Sequence, residues 1–364
     1  MRVAVDARHL GRGRGVARYL ESMLAALASR HPGTEWVAVG ATDDAWPLPP
    51  GVVAAGSPLP RRLANAGSAM VGRPRIDLLA GGADVVWSPA PAPTAWSPGV
   101  PAVMTVHDIA WEERPQDFTA YERAWHAAAR PRRLARRCSR VVCVSETTRQ
   151  AILAANWPVE DSRIEVVTEA PAIAPDGDHR EGSGRHLLYV GALEPRKGIE
   201  TLAAALPVAR AHGLALGLVV VGEGRLGGFL SGQPGVELVG GADDRQLASL
   251  YAGATALVFP SLLEGFGLPP VEAAAFGVPT VGSDLPVLRE LLGEAFLPTS
   301  PGDPGELGDA IFRVSTDTAL RNRLGGAARD AVSGLSWASS ADRLYELLCE
   351  AAAEPARGAC RSSP

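Results

Sequence analysis

The stretch Glu264 to Glu272, EGFGLPPVE, sets two carboxylates around two glycines and a proline pair. A carboxylate accepts hydrogen bonds through two oxygens in fixed directions, so two of them on one pocket suit the several hydroxyls of a sugar or a ribose. Proline is favoured at a helix start, where its missing N–H would be unpaired anyway. A helix beginning at Pro269 or Pro270 puts Glu272 in its first turn and Glu264 in the loop before it. Gly265 and Gly267 let that loop turn tightly and offer amides to a ligand, and a helix start favours anionic or oxygen-rich groups. The competing reading is local: Glu272 complements the helix dipole and Glu264 caps a loop, for about 0.3–1 kcal/mol each.

A second chemical group is Arg196 and Lys197 in GALEPRKG. A guanidinium fork and a point-charge ammonium can together neutralise a diphosphate. As a mere solvated helix start the pair would oppose the helix dipole, so an anion is expected to offset it. His107, in VHDIAW, either donates a hydrogen bond to a substrate or serves as a satisfied core residue. GRGRGVARY carries Gly13 and Gly15 where backbone amides could cradle an anion, or is only a flexible loop. GEGRLGG, from Gly222, matches G-x-G-x-x-G and raises a dinucleotide oxidoreductase as a rival. The residues behind it, GFLSGQPG, contain Gly and Pro where that fingerprint needs a helix.

The elements that must position these groups alternate. RVAVDA, WVAVGA, VVWSPA, AVMTVHD, RVVCVSE and RIEVVTEAP read as strands with helical stretches between some of them, and HLLYVGAL, LGLVVVGEG, VELVGG, ALVFPS and PTVGSD repeat the pattern. Alternation of this kind signals parallel βαβ units and an α/β fold with two doubly wound sheets. Ligands of such sheets bind beyond the carboxyl ends of the strands, which is where all five motifs fall. Residues 1–170 form the first domain, 171–185 a Pro- and Gly-rich linker, 186–335 the second domain, and 336–353 a last helix. The tail, 354–364, reads as disordered.

Composition narrows the function. At 364 residues the chain exceeds one ordinary core. A net charge of −5 argues against nucleic acid as the main partner. Four scattered cysteines suggest neither a disulfide framework nor a zinc site, and no metal site is expected. The apolar runs are too short to span a membrane and the N-terminus lacks signal-peptide regions, so a cytoplasmic protein is expected. Arginines crowd the segment from Arg123 to Arg140 beside Tyr121 and Trp125, a pattern that either touches an anionic membrane peripherally or is simply a solvated face.

Taken together, these residues resemble the retaining glycosyltransferases of the GT-B fold, a group that includes many bacterial mannosyltransferases. EGFGLPPVE resembles that family's Glu-x7-Glu motif, and EPRK the text of one subgroup. The resemblance implies two Rossmann-like domains facing across a cleft, with the last helix crossing back to the first. It implies that Glu272 holds a ribose, Glu264 contacts the transferred sugar, and the amides of Phe266, Gly267 and Leu268 meet sugar hydroxyls or phosphate. Arg196 and Lys197 would bind the diphosphate, with Gly15 against it, Gly222 at a neighbouring strand end and the backbone near Ala242 at the base. His107 would reach the sugar near the reacting carbon. Many members carry an arginine where this chain has Ala192, which leaves the diphosphate to Arg196 and Lys197. The implied activity is metal-independent, cofactor-free transfer of a hexose, with a lean to mannose, from a nucleotide diphosphate donor to a carbohydrate, lipid-linked or small acceptor. The leaving phosphate would assist the incoming hydroxyl on the same face. The alternatives are the oxidoreductase and a sugar-nucleotide-binding protein without turnover.

Overall fold

Thirteen strands make two separate parallel sheets in the computed structural model, which describes residues 1–10, 15–40, 47–57, 60–175 and 184–354, without the side chains at 61 and 62. The chain divides into two compact units, one of residues 1–169 with 336 onward and the other of residues 170–335.

The first unit holds β1 (Arg2–Asp6), β2 (Glu35–Val39), β3 (Val52–Ala55), β4 (Val85–Ser88), β5 (Ala102–Val106), β6 (Arg140–Cys143) and β7 (Ile164–Val166). Their order is β3-β2-β1-β4-β5-β6-β7. Its helices are α1 (Gly15–Arg30), α2 (Arg61–Val71), α3 (Ile76–Leu79), α4 (Ala110–Glu113), α5 (Ala120–Ala129), α6 (Pro131–Arg137) and α7 (Glu146–Ala154). Parallel strands covered on both faces are apolar throughout rather than alternating, and Val3, Ala4 and Val5 of β1 are fully buried. Tyr19, Leu20, Met23, Leu24 and Leu27 recur at helical spacing, and all are buried on one face of α1.

The second unit holds β8 (His186–Val190), β9 (Leu218–Val221), β10 (Val236–Val239), β11 (Ala254–Phe259), β12 (Thr280–Ser283) and β13 (Leu297–Thr299), in the order β10-β9-β8-β11-β12-β13. Its helices are α8 (Ile199–Ala211), α9 (Asp244–Gly253), α10 (Leu268–Ala275), α11 (Pro286–Leu292), α12 (Pro304–Thr316) and α13 (Thr318–Val332). The final helix, α14 (Trp337–Ala353), belongs to the first unit, where it packs on α1 and approaches β4 and β5. Ion pairs fasten it there, among them Arg30 to Asp342, Arg343 to Glu165 and Arg140 to Glu350.

Strands β3 and β13 escape the sequence pattern. Both lie at sheet edges, β3 half exposed and β13 containing Pro298, so neither forms a buried β-branched run. Gly13, the middle of the linker and the tail beyond Glu354 lie outside the described residues. No helix among the described residues is long and apolar enough to cross a membrane.

Candidate active site

In the second unit, the segment after β8 folds as a single tight turn, Pro195–Lys197, closed by Gly198 in the left-handed conformation at φ 68°. Only glycine fits there: a Cβ would stand 1.9 Å from the Pro260 carbonyl oxygen, at the end of β11. The Leu262 amide donates to the Arg196 carbonyl at 2.8 Å, so the loops after β8 and β11 are knitted together. This juxtaposition pairs Lys197 Nζ with Glu264 Oε1, and Ser261 Oγ donates to the same oxygen at 2.7 Å. Both charged side chains are mostly enclosed, at 16% and 8% exposure. The neighbouring Arg196 is half-buried, and its guanidinium makes no hydrogen bond or ion pair among the described residues. A fork donor therefore remains available beside an enclosed ion pair.

Helix α10 starts one residue before the expected prolines, at Leu268, after Gly267 at φ 97°. Glu272 consequently lies in the second turn, not the first, and so cannot act there as a first-turn dipole partner. Pro269 and Pro270 occupy the second and third helical positions, which removes two of the donors a helix start normally offers. The amides of Phe266, Gly267 and Leu268 remain, and no backbone carbonyl among the described residues accepts from them. Glu272 is 4% exposed, and its Oε2 accepts from the Tyr251 hydroxyl at 2.8 Å. Tyr251 is fully buried in α9 and stacks on Phe276. Ala242 stands half-buried just before Asp243, which caps α9.

Gly222 has a different reason to be glycine from the one the G-x-G-x-x-G reading supplies. At φ 144° its Cβ would fall 1.9 Å from the Gly191 carbonyl oxygen, so it lets the loops after β8 and β9 touch. Behind it comes one three-residue turn, Gly227–Phe229, and no α-helix opens there. The dinucleotide fingerprint thus lacks its helix, and the oxidoreductase alternative is not favoured.

In the first unit, His107 follows β5 with both ring nitrogens engaged: Nδ1 lies 3.0 Å from Glu169 Oε1 and Nε2 lies 2.8 Å from the Pro89 carbonyl oxygen. Both partners are acceptors, so the fully bonded ring is the protonated one. Burial alone would lower its pKa, but the hydrogen bond and charge of Glu169 prevail and raise it above the ordinary histidine value. Tyr19 meets the ring edge-on at 4.7 Å. Gly15 begins α1, and a Cβ there would meet nothing within 4 Å among the described residues. The arginine-rich segment is broken between α5 and α6 at Arg130, φ 51°. Arg132 pairs with Glu112, Arg140 with Glu350 and Glu354, and Arg137 lies over the Trp96 ring, while Arg130, Arg133 and Arg136 are exposed.

Three polar partners, Tyr251, Ser261 and Glu169, are not singled out by the sequence. Tyr251 follows Leu247 at helical spacing and reads as core, Ser261 as loop. Glu169, in VVTEAP, lies three residues beyond the end of β7 and carries only the weak signal of an acid past a strand end.

Residues 13–169 match the family model Glycosyltransferase Family 4, and residues 184–317 match Glycosyl transferases group 1. Glycogen synthase of Mycobacterium tuberculosis is 34% identical over 199 residues, 52% of this chain and 44% of its own. O-antigen chain mannosyltransferase B of Escherichia coli is 29% identical over 254 residues, 60% of this chain and 62% of its own. These matches span less than two thirds of either relative. Among solved structures, sucrose-phosphate synthase from Thermosynechococcus elongatus superposes with TM-score 0.73 at 19% identity, over 96% of this chain and 98% of that one. WaaG, a glycosyltransferase involved in lipopolysaccharide biosynthesis, gives 0.72 at 18%, over 95% and 99%. The chain thus has the GT-B fold, and each of its two units matches a glycosyltransferase family model.

Proposed function

We propose that the protein is a glycosyltransferase that moves a hexose, with a lean to mannose, from a nucleoside diphosphate donor to an acceptor hydroxyl with retained anomeric configuration. The observation that carries this reading is the edge of the second sheet, where the enclosed Lys197–Glu264 pair stands beside an Arg196 guanidinium that has no partner among the described residues. The two family models and the mannosyltransferase among the relatives support the class.

In this reading Arg196 and Lys197 neutralise the diphosphate as it departs, which is where negative charge grows in the transition state. Glu264, fixed by Lys197 and Ser261, holds a sugar hydroxyl. Glu272, fixed by Tyr251, holds the ribose, and the amides of Phe266, Gly267 and Leu268 take remaining oxygens. Gly222 and the backbone at Ala242 flank the base. Gly15 leaves the room that a side chain would fill. His107, charged through its bond to Glu169, contributes a fixed positive field near the sugar rather than a mobile proton. Front-face transfer assisted by the leaving phosphate is the step assigned, and the enzyme supplies orientation and charge stabilisation. Metal is not required, because two cationic side chains perform its role. Arg130, Arg133 and Arg136 fit a peripheral, salt-sensitive contact with an anionic lipid surface at the cytoplasmic face.

Thermal-shift and calorimetric titration with UDP, GDP and their hexose conjugates tests the reading, since a ligand of the folded state raises stability by mass action. Saturable binding, followed by release of nucleoside diphosphate that is insensitive to chelator, is expected. No binding of any nucleoside diphosphate would overturn it.

A further inference from the structure

The carboxyl edge of the first sheet carries an aromatic cluster that none of the roles above uses. His9 follows β1, Trp111 sits in α4 just after β5, and Trp125 and His126 lie in α5. Trp111 stacks on His126 with centroids 4.6 Å apart, Trp125 meets His126 edge-on at 4.9 Å, and His9 meets Trp125 at 6.5 Å. Phe118 closes the other side of His126 at 5.6 Å.

Three features separate this cluster from an ordinary core. Trp111, Trp125, His126 and Phe118 are all only half-buried. Three of the four enclosed tryptophans, Trp36, Trp87 and Trp157 but not Trp96, donate their indole N–H to a protein acceptor, whereas Trp111 and Trp125 make no such bond among the described residues. Next to them, Asp108 uses Oδ1 for the Ala110 amide at 2.9 Å, and its Oδ2 accepts no hydrogen bond among the described residues. The half-buried Trp125 indole, two N–H donors without a protein acceptor among the described residues and an open carboxylate oxygen occur together, with Trp111 packed behind on His126 and Trp157. A pyranose needs the same set: it has an apolar C–H face, and its hydroxyls both donate and accept. An indole lends an apolar body with a polar tip, and pockets of this kind take orientation from a few polar groups.

We propose that Trp125, with Trp111 and Asp108, forms a saccharide subsite in the first unit. It takes a neutral pyranose ring on the indole face, with hydroxyls bonded to the indole N–H and to Asp108. This rests on the transferase reading in one respect: there the bound ring is the acceptor, which makes the acceptor a carbohydrate. His126 supports the site without adding charge, because burial lowers its pKa even though Asp108 and Glu122 pull the other way.

The test is ligand-observed saturation-transfer NMR on the full chain with methyl α-D-mannopyranoside and methyl α-D-glucopyranoside. At least one should bind the native protein, and Glu294→Gln, an exposed change in the other unit, should bind it equally. Trp125→Ala and Asp108→Asn should each weaken it, Trp125→Ala by at least about tenfold, or 1.4 kcal/mol. Should Trp125→Ala fail to fold, Trp125→Phe with Asp108→Asn decides the matter through the same titration. Absence of binding by both glycosides, or unchanged binding by folded Trp125 and Asp108 variants, overturns the subsite. Nucleotide titration separates the two proposals. Glycoside binding lost on Trp125 substitution but without nucleoside diphosphate affinity would keep the subsite and sink the transferase, and the converse result would do the reverse.

Discussion

Each sheet carries a cation–carboxylate pair at its carboxyl edge, and the two pairs differ in what they leave over. In the first unit His107 uses both nitrogens on Glu169 and Pro89, and after β1 Arg8 is bound to Asp6 and Thr94. Burial would raise the Asp6 carboxyl, yet Arg8 and Thr94 bring it down to about 2. In the second unit Lys197 and Glu264 hold each other beside Arg196, which has no ion-pair partner among the described residues. The first arrangement completes a structure. The second keeps donor capacity in a partly enclosed place, which is what an anionic ligand requires. Similar sheets therefore need not carry similar chemistry, and the bonds already made are a better guide than residue type.

The strongest way to break this contrast is Gly198→Ala. With φ at 68° and a carbonyl 1.9 Å from the new Cβ, the turn bearing Arg196 and Lys197 has to move. A loss of about 2 kcal/mol or more is expected, on the scale of backbone strain. Denaturant unfolding measures it, and nucleotide affinity should fall with it. If stability and affinity are both retained, the turn is not held as described.

Next is Lys197→Ala. It deletes a charge-assisted contact and leaves Glu264 without its ion-pair partner. At about 1.5–3 kcal/mol for a bond to a charged group, nucleoside diphosphate affinity should fall roughly 10- to 100-fold by calorimetry. His107→Gln, which removes only a field near the sugar and no diphosphate contact, should cost that affinity clearly less. Equal losses from both would erase the distinction between the edges.

Tyr251→Phe should have a smaller effect. Removing the hydroxyl that orients Glu272 costs about 1 kcal/mol, read as a several-fold weaker nucleotide affinity with little change in a base-free pyrophosphate control.

The smallest effect concerns pH. His107 has a folded pKa above its unfolded value, so its bond to Glu169 contributes fully below about pH 6.5 and fades as pH rises through the folded pKa. The melting-temperature gap between native protein and Glu169→Gln should therefore be larger at pH 6 than at pH 9. A gap that widens with pH would contradict the protonated pair.

Much of the fold is legible in the sequence because parallel strands under two helical layers are written as short continuous apolar runs, and β1 and β11 stand out at once. The carboxylate and basic motifs sit at strand ends, so their location is also readable. Partnership is not. Nothing in LLEGFG or EPRKG says that Lys197 and Glu264 meet, since they lie 67 positions apart and are joined by a backbone bond between loops. The start of α10 departs from the expected position because proline tolerates more than one early place in a helix, and Gly267 supplies the turn instead. Glu169 stays hidden because a single acid at a strand end has no periodicity to betray it.

The placement of α14 has a consequence for how the molecule is made. Residues from Ser336 onward complete the unit that also holds residues 1–169, so the buried side of α1 stays partly uncovered until α14 emerges from the ribosome. The later-encoded lobe can finish folding sooner than the earlier one. A nascent chain arrested before Trp337 should therefore be the form that proteases and chaperones seize most readily.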